Sequence, residues 1–144
     1  MNCEKYMIQQ ISVFSENKPG RLATMAKACQ EEGINILAFS IAEADGFGVI
    51  RALVDRPDLA FRKLTSLGMN VAFTQVIAVE MRDEPGGLYE IASRLSDAMI
   101  NIEYSYAFSG KDKAVLILRV DQGEEAIKTL LDNNFHLIAS SMIH

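Results

Sequence analysis

The chain has 144 residues, of which 49% are hydrophobic and 23% are charged, and its net charge at pH 7 is −5. This composition is typical of a soluble globular protein, and the acidic balance with scattered Lys and Arg argues against a nucleic-acid partner or an anionic membrane surface. We expect a cytoplasmic protein, because no apolar stretch approaches the roughly 18 residues of a membrane span and no signal peptide is visible. Cys3 and Cys29 lie far apart, which favours a reducing compartment over a disulfide or zinc framework.

The first part of the chain predicts strands and helices in alternation. Ile11 and Val13 alternate with polar neighbours and predict a strand that ends near Ser15. A turn follows, and apolar residues at three- and four-residue spacing predict a helix from Gly20 to about Glu32. The remaining predicted elements are the strand Ile34–Ala44, the strand Phe47–Val54 after an Asp45-Gly46 hairpin turn, a helix opened by Pro57 and closed by Gly68, and the strand Asn70–Phe73.

The same pattern is then repeated. A shift of 66 positions aligns the two halves without a gap and gives 15 identities in 64 positions, where average residue usage gives roughly four by chance. The second copy predicts strands at Val76–Met81, Ile100–Phe108, Lys113–Val120 and Phe135–Ser140, with helices at Gly86–Ala98 and Glu124–Asn133.

We therefore predict an α+β protein of two ferredoxin-like βαββαβ units, with domains at residues 1–73 and 74–144. Each unit forms a four-stranded antiparallel sheet with both helices on one face. The opposite face is also apolar, since it carries Val49, Leu53, Val115 and Ile117. One interpretation is a marginal surface; the other is a second chain packed sheet to sheet in a homodimer.

The turn at the start of the first helix is a candidate ligand site. The turn runs from Asn17 through Lys18, Pro19 and Gly20 to the helical residues Arg21 and Leu22. The first amides of a helix are unpaired and favour an anion such as a carboxylate, and Gly20 leaves the backbone accessible. Capping Asx residues and Pro-Gly turns are also common structural features, so a purely structural role stays open.

The second copy repeats this turn with changes. Asp83 replaces the Asn, Pro85 and Gly86 are kept, and Gly87 stands where the first copy has Arg21. A carboxylate at Asp83 favours an ammonium group over a carboxylate nearby, so the two turns are not equivalent. We expect the first turn to be the better candidate.

Strand, [Asn/Asp]-x-Pro-Gly-x-Leu, helix and an Ile-Asn-Ile strand together resemble the ACT domain, the amino-acid-sensing module of metabolic enzymes. Both copies carry the motif in register, and the whole chain is similar to bacterial tandem ACT proteins with no attached enzyme domain. The resemblance implies two modules side by side, their edge strands joined into one eight-stranded sheet, with a free amino acid at the interface between them. The residues it implies as ligand contacts are Asn17, Gly20, Leu22 and Asn35 in the first copy, and Asp83, Gly86, Leu88 and Asn101 in the second.

We predict a non-catalytic, amino-acid-binding regulatory protein that uses no cofactor or metal and passes its response to an unidentified protein target. An acylphosphatase-like enzyme on the same fold would need Arg21 with Asn35, but the chain offers no nucleophile and base pair, since its only histidines are His136 and His144. The remaining alternative is an oligomerisation or protein-interaction module that binds no small ligand.

Overall fold

A computed structural model of the chain describes residues 3–109 and 113–144. Within these residues it has six β-strands and four α-helices. None of the helices there is long and apolar enough to cross a membrane. In chain order the elements are β1 (Ile8–Glu16), α1 (Arg21–Glu31), β2 (Ile36–Ala44), β3 (Phe47–Val54), α2 (Pro57–Ser66), β4 (Asn70–Met81), α3 (Gly87–Asp97), β5 (Ile102–Ser109), β6 (Ala114–Val120) and α4 (Gly123–Asp132).

The chain divides into two compact units. The copy-one unit comprises Gln9–Thr74 together with His144, and the copy-two unit comprises residues 3–8 and Gln75–Ile143. Each unit holds one copy of the repeat, and the N-terminal segment before Gln9 belongs to the copy-two unit.

In the copy-one unit, β3 lies between β2 and β1, and both pairings are antiparallel. The start of β4 lies beside β1, since the hydroxyl oxygens of Ser12 and Thr74 are 3.5 Å apart. Ile11 and Ala52 are register partners on the face covered by the helices, and Met25 and Leu64 pack onto this face from α1 and α2. Full burial of each such aliphatic side chain contributes about 1.5–3 kcal/mol.

In the copy-two unit, β6 lies between β4 and β5, again in antiparallel pairing. Val79 and Leu116 are register partners in the core, where Ile91 and Leu95 of α3 and Ile127 of α4 pack against them. The α+β, ferredoxin-like organisation predicted from the repeat is confirmed in each unit.

Two of the eight predicted strands are not separate strands. Asn70–Phe73 and Val76–Met81 are parts of the single strand β4, because Thr74 and Gln75 between them keep the backbone extended. The predicted strand Phe135–Ser140 pairs too briefly to form a ladder: Glu80 N donates to His136 O at 2.9 Å and Ile138 N donates to Ala78 O at 2.9 Å. A single turn of 3-10 helix, Ser140–Met142, follows.

Three of the four apolar residues predicted on the face opposite the helices are buried within the chain. Leu53 and Ile117 are fully buried, and Val115 is only 8% exposed. In the copy-two unit, Tyr106 of β5 is the register partner of Ile117, and Phe108 is that of Val115, so aromatic rings flank both side chains. Val49 is half-buried and its register partner Phe14 is 45% exposed, so this face is only partly covered and the homodimer stays a prediction.

Both α1 and α3 are followed by a residue in the left-handed conformation, but the residue types differ. Gly33 follows α1 at φ 68°, and the equivalent residue after α3 is Met99 at φ 60°. A left-handed residue at this position ends a helix well, and glycine adopts it without steric cost. Met99 is 83% exposed, so its side chain makes little packing to offset that cost.

We expect Met99→Gly to stabilise the protein by about 1 kcal/mol, because it removes the left-handed strain of a residue with a Cβ. Urea unfolding should show a higher midpoint with an unchanged m-value. The matched substitution in the copy-one unit, Gly33→Ala, should lower the midpoint. A destabilised Met99→Gly variant would contradict this account.

The first residue of α3 tolerates no side chain. A Cβ at Gly87 would lie 2.0 Å from the carbonyl oxygen of Arg82, which is a backbone atom that cannot move aside. At the equivalent position the first copy carries Arg21, so the two turns differ in backbone path.

We expect Gly87→Ala to destabilise the protein by about 1–3 kcal/mol through this overlap, although alanine normally favours a helix by about 0.5–1 kcal/mol over glycine. Gly123→Ala, at the first residue of α4, is the matched control. Its Cβ would meet only the flexible end of Met7, at 3.0 Å, so its urea midpoint should fall less than that of Gly87→Ala. An equal loss in the two variants would show that backbone overlap at Gly87 is not the cause.

Candidate functional site

The turn between β1 and α1 is held by its backbone. Asn17 N donates to Gly46 O of the β2–β3 hairpin at 2.8 Å, which fixes the end of β1. Gly20 then adopts φ 92° and directs the chain into α1. Residues with a Cβ rarely take this conformation, so Gly20 determines where the helix begins.

The first turn of α1 leaves two backbone donors free. Arg21 N donates to Lys18 O at 3.4 Å and Thr24 N to Gly20 O at 2.9 Å. The amides of Leu22 and Ala23 have no hydrogen-bond acceptor among the described residues. Since a helix N-terminus also carries a partial positive charge, this position favours an anion.

A pocket of about 140 Å³ lies at these amides. It brings together four of the residues predicted from the sequence, namely Asn17, Gly20, Arg21 and Leu22, whereas Pro19 does not line it. The charged groups in its lining, Lys18 and Arg21, are both cationic. The other lining residues are Ser15, Ala23, Ile41, Gly48 and Ile50.

Gly48 allows the pocket to keep its shape. A Cβ at Gly48 would lie 3.3 Å from Cβ of Asn17, so a larger residue would press against Asn17 at the turn. Ile41, Gly48 and Ile50 come from β2 and β3, which are distant from the turn in sequence. Only the fold shows that these strands form the apolar wall of the pocket.

A second cavity of about 470 Å³ adjoins the turn and shares Ser15, Arg21 and Ile50 with the smaller pocket. Arg21 is half-buried, and its Nε is fully buried without a hydrogen-bond partner in the described residues. The cavity also contains Glu16, whose carboxylate lies 3.7 Å from Lys18 Nζ.

The predicted asparagines lie elsewhere. Asn35 immediately precedes β2, whose first residue pairs with the last residue of β3, whereas Asn17 binds the hairpin at the other end of the two strands. Asn35 N donates to Asp55 Oδ1 at 2.9 Å, and Asp55 N donates to Asn35 O at 3.1 Å. Asn35 is therefore not brought to the turn of its own unit.

Asn101 makes the equivalent exchange in the copy-two unit. Its N donates to Asp121 Oδ1 at 3.0 Å, and Asp121 N donates to Asn101 O at 3.2 Å. This bond pair joins the start of β5 to the end of β6 through the backbone of Asn101. The Val-Asp match between the two copies was the sequence signal for it.

The copy-two turn has its own internal contacts. Gly86 takes φ 93°, as Gly20 does. Arg82 forms ion pairs with Glu84 and Glu90, and its Nε donates to Glu90 Oε2 at 3.1 Å. The cavity beside this turn, about 200 Å³, is lined by Arg82, Gly87 and Glu90 among others, but not by Asp83, Gly86 or Leu88.

A larger cavity of about 580 Å³ lies at the N-terminus of α2. Its charged lining groups are partly engaged, since Asp55 accepts from Asn35 N and Arg56 Nη2 donates to Gly33 O at 3.2 Å. We therefore consider the turn before α1 the better site, despite its smaller pocket. No group of three or more His, Cys, Asp or Glu side chains in the described part of the chain could hold a metal ion.

Cys29 is a core residue. Burial, and secondly the negative charge of Asp55, raise the pKa of its thiol. The neutral thiol is then favoured, which suits an unreactive apolar contact better than a nucleophile.

The comparisons with known proteins agree with this fold. The chain is similar to protein BT0572 from Bacteroides thetaiotaomicron, with 32% sequence identity, a TM-score of 0.90 and 94% of each chain covered. It shares its fold with the ligand-free regulatory subunit of aspartate kinase from Thermus thermophilus, at 16% identity and a TM-score of 0.65, over 88% of this chain and 92% of that one. The regulatory subunit of aspartate kinase from Thermus flavus is also similar, at 14% identity and a TM-score of 0.58, over 86% and 90%.

No curated protein sequence matches the chain. Residues 6–144, however, match the family described as ACT domain pair. The resemblance seen in the two Pro-Gly turns is confirmed, and the chain belongs to the ACT domain pair family.

Proposed function

We propose that this protein is a non-catalytic regulator that binds a free amino acid at the turn between β1 and α1. The observation that carries the proposal is the pocket at the amides of Leu22 and Ala23, which have no acceptor among the described residues. Family membership and the fold shared with aspartate kinase regulatory subunits support a regulatory role. The proposal includes a cytoplasmic location, self-association as a homodimer and an unidentified protein target.

The pocket chemistry suits the α-carboxylate of an amino acid. The two amides and the positive end of α1 would bind the carboxylate, and Lys18 adds a positive charge. The side-chain nitrogen of Asn17 can donate to the carboxylate, and the hydroxyl of Ser15 is the side-chain acceptor in the lining that could bind the ammonium group. Asn35 has no part in this arrangement, because its backbone is bonded to Asp55 at the far end of β2.

A ligand that binds the folded state raises its stability by mass action. At 100 times its Kd the gain is about 2.7 kcal/mol, which for a chain of this size is a rise in Tm of about 5–10 °C. We expect at least one of the twenty amino acids to produce such a shift in a thermal denaturation screen. The amide of that amino acid, which lacks the α-carboxylate, should produce none.

A screen in which no amino acid raises Tm would contradict the proposal and favour the alternative of an interaction module without a small ligand. An equal shift with the amino acid and its amide would show that the ligand is not held by its α-carboxylate.

Reciprocal substitutions in the two copies test which turn binds. We expect Asn17→Asp to weaken binding at least about tenfold, because a carboxylate next to the pocket repels the carboxylate of the ligand. The same charge is favourable to α1, since an acidic residue suits a helix N-terminus, so a lower affinity could not be attributed to a weaker fold. Isothermal titration calorimetry measures the affinity and urea unfolding the stability.

The matched control is Asp83→Asn, which makes the opposite change at the equivalent position of copy two. It should leave the affinity within about twofold of the original. A large change in Asp83→Asn with none in Asn17→Asp would assign the site to the copy-two turn instead.

A further inference from the structure

Arg21 is a cation placed where the helix does not favour one. It is the first residue of α1, and positive charge at a helix N-terminus is unfavourable by the macrodipole. Its side chain has no hydrogen bond or ion pair with any described residue, and its Nε is buried without an acceptor. Buried donors in folded proteins nearly always have partners, so this one indicates a missing acceptor.

Arg21 contributes to the lining of two adjoining cavities. It lines the pocket of about 140 Å³ at the amides and the adjoining cavity of about 470 Å³. An amino acid with its α-carboxylate at the amides can therefore extend its side chain past Ser15 and Ile50 into the larger cavity. Glu16 also lines this cavity, but its carboxylate lies beside Lys18, which leaves the guanidinium of Arg21 without a counter-ion.

The second copy contains the pair that the first copy lacks. Arg82 and Glu90 stand at the repeat positions of Glu16 and Thr24. The guanidinium of Arg82 binds the carboxylate of Glu90 through two nitrogens, Nε and Nη2, which is the bidentate geometry that arginine and carboxylate prefer. The cavity around this pair is lined largely by residues that match the lining of the larger copy-one cavity.

In the copy-one unit the charges are arranged differently. The arginine comes from the helix, at position 21, and the position of the internal carboxylate is taken by Thr24, whose hydroxyl donates to Gly20 O at 2.9 Å. Copy two cannot adopt this arrangement, since Gly87 has no room for a side chain.

From this difference we propose that the ligand supplies the second carboxylate, and that the copy-one site selects an acidic amino acid through Arg21. The copy-two cavity is closed to such a ligand by its own Arg82–Glu90 pair. The inference depends on the proposed function, because it names the ligand class for the same site.

Calorimetry on the full chain tests the selectivity with isosteric pairs of ligands: aspartate against asparagine, and glutamate against glutamine. We expect one of the two acids to bind at least about tenfold tighter than the asparagine or glutamine that matches it in shape, with one site per chain. If asparagine binds as well as aspartate, and glutamine as well as glutamate, the assignment of Arg21 is overturned and the proposed function still stands. If none of the twenty amino acids binds, the proposed function itself fails.

Arg21→Gln tests the residue directly. Affinity for the acid should fall at least about tenfold while affinity for the amide changes little, so that the preference disappears. Arg21→Lys should keep a reduced preference, because lysine retains the charge without the planar fork. Urea unfolding should show that Arg21→Gln is as stable as the original chain or more stable, since it removes a cation from a helix N-terminus.

The matched control is Arg82→Gln in the copy-two unit, which should leave the acid preference unchanged. A loss of preference in Arg82→Gln, or a stoichiometry of two in the original chain, would overturn the claim that only the copy-one site is open. A fall in affinity for acid and amide alike in Arg21→Gln would show that Arg21 has no role in selecting the side chain.

Discussion

The left-handed glycine between the first strand and the first helix is the constraint on which the candidate site depends. Gly20 turns the backbone at φ 92° directly after a strand that is bonded to the hairpin loop through Asn17. Because the helix begins at once, the amides of Leu22 and Ala23 have no acceptor in the preceding turn. The apolar side chains that pack α1 onto the sheet keep this geometry rigid, since Met25 and Cys29 are almost fully buried. Core packing and the vacant donors are therefore consequences of one backbone arrangement.

Much of the fold could be predicted from the sequence because its signals are local. The Asp45-Gly46 turn gave the bounds of the strand Phe47–Val54, and the helix periodicity gave α1 and α3 within a residue at either end. Thr74 and Gln75 leave almost no linker between the two strands that form β4, but the strands were predicted separately because an extended chain with no breaker looks the same whether it serves one unit or two. The final predicted strand was also wrong. Its alternation is adequate for a strand, but the length of a ladder is set by the partners available at Ala78 and Glu80.

The site was only partly predictable. The turn could be proposed as a site from the sequence, since proline, glycine and the amides of a helix start are neighbours in sequence. Its wall of Ile41, Gly48 and Ile50 was not found, because it is assembled by strand pairing. Asn35 was assigned to the ligand by resemblance, yet a strand of nine residues separates it from the hairpin to which Asn17 is bonded. The exchange of charged positions between the copies, with Glu16 and Thr24 against Arg82 and Glu90, was visible in the aligned repeat and could have been interpreted before the fold was known.

The internal Arg82–Glu90 pair of the copy-two unit has a consequence for how the chain responds to its environment. Two vacant and equivalent sites on one polypeptide would allow occupancy of the first to alter the second, and hence a graded or steep dose response. Under the proposed assignment, one turn is satisfied by its own carboxylate and a single chain would saturate along a simple hyperbola. Any steepness in the response would then have to come from association between chains or from the protein that receives the signal.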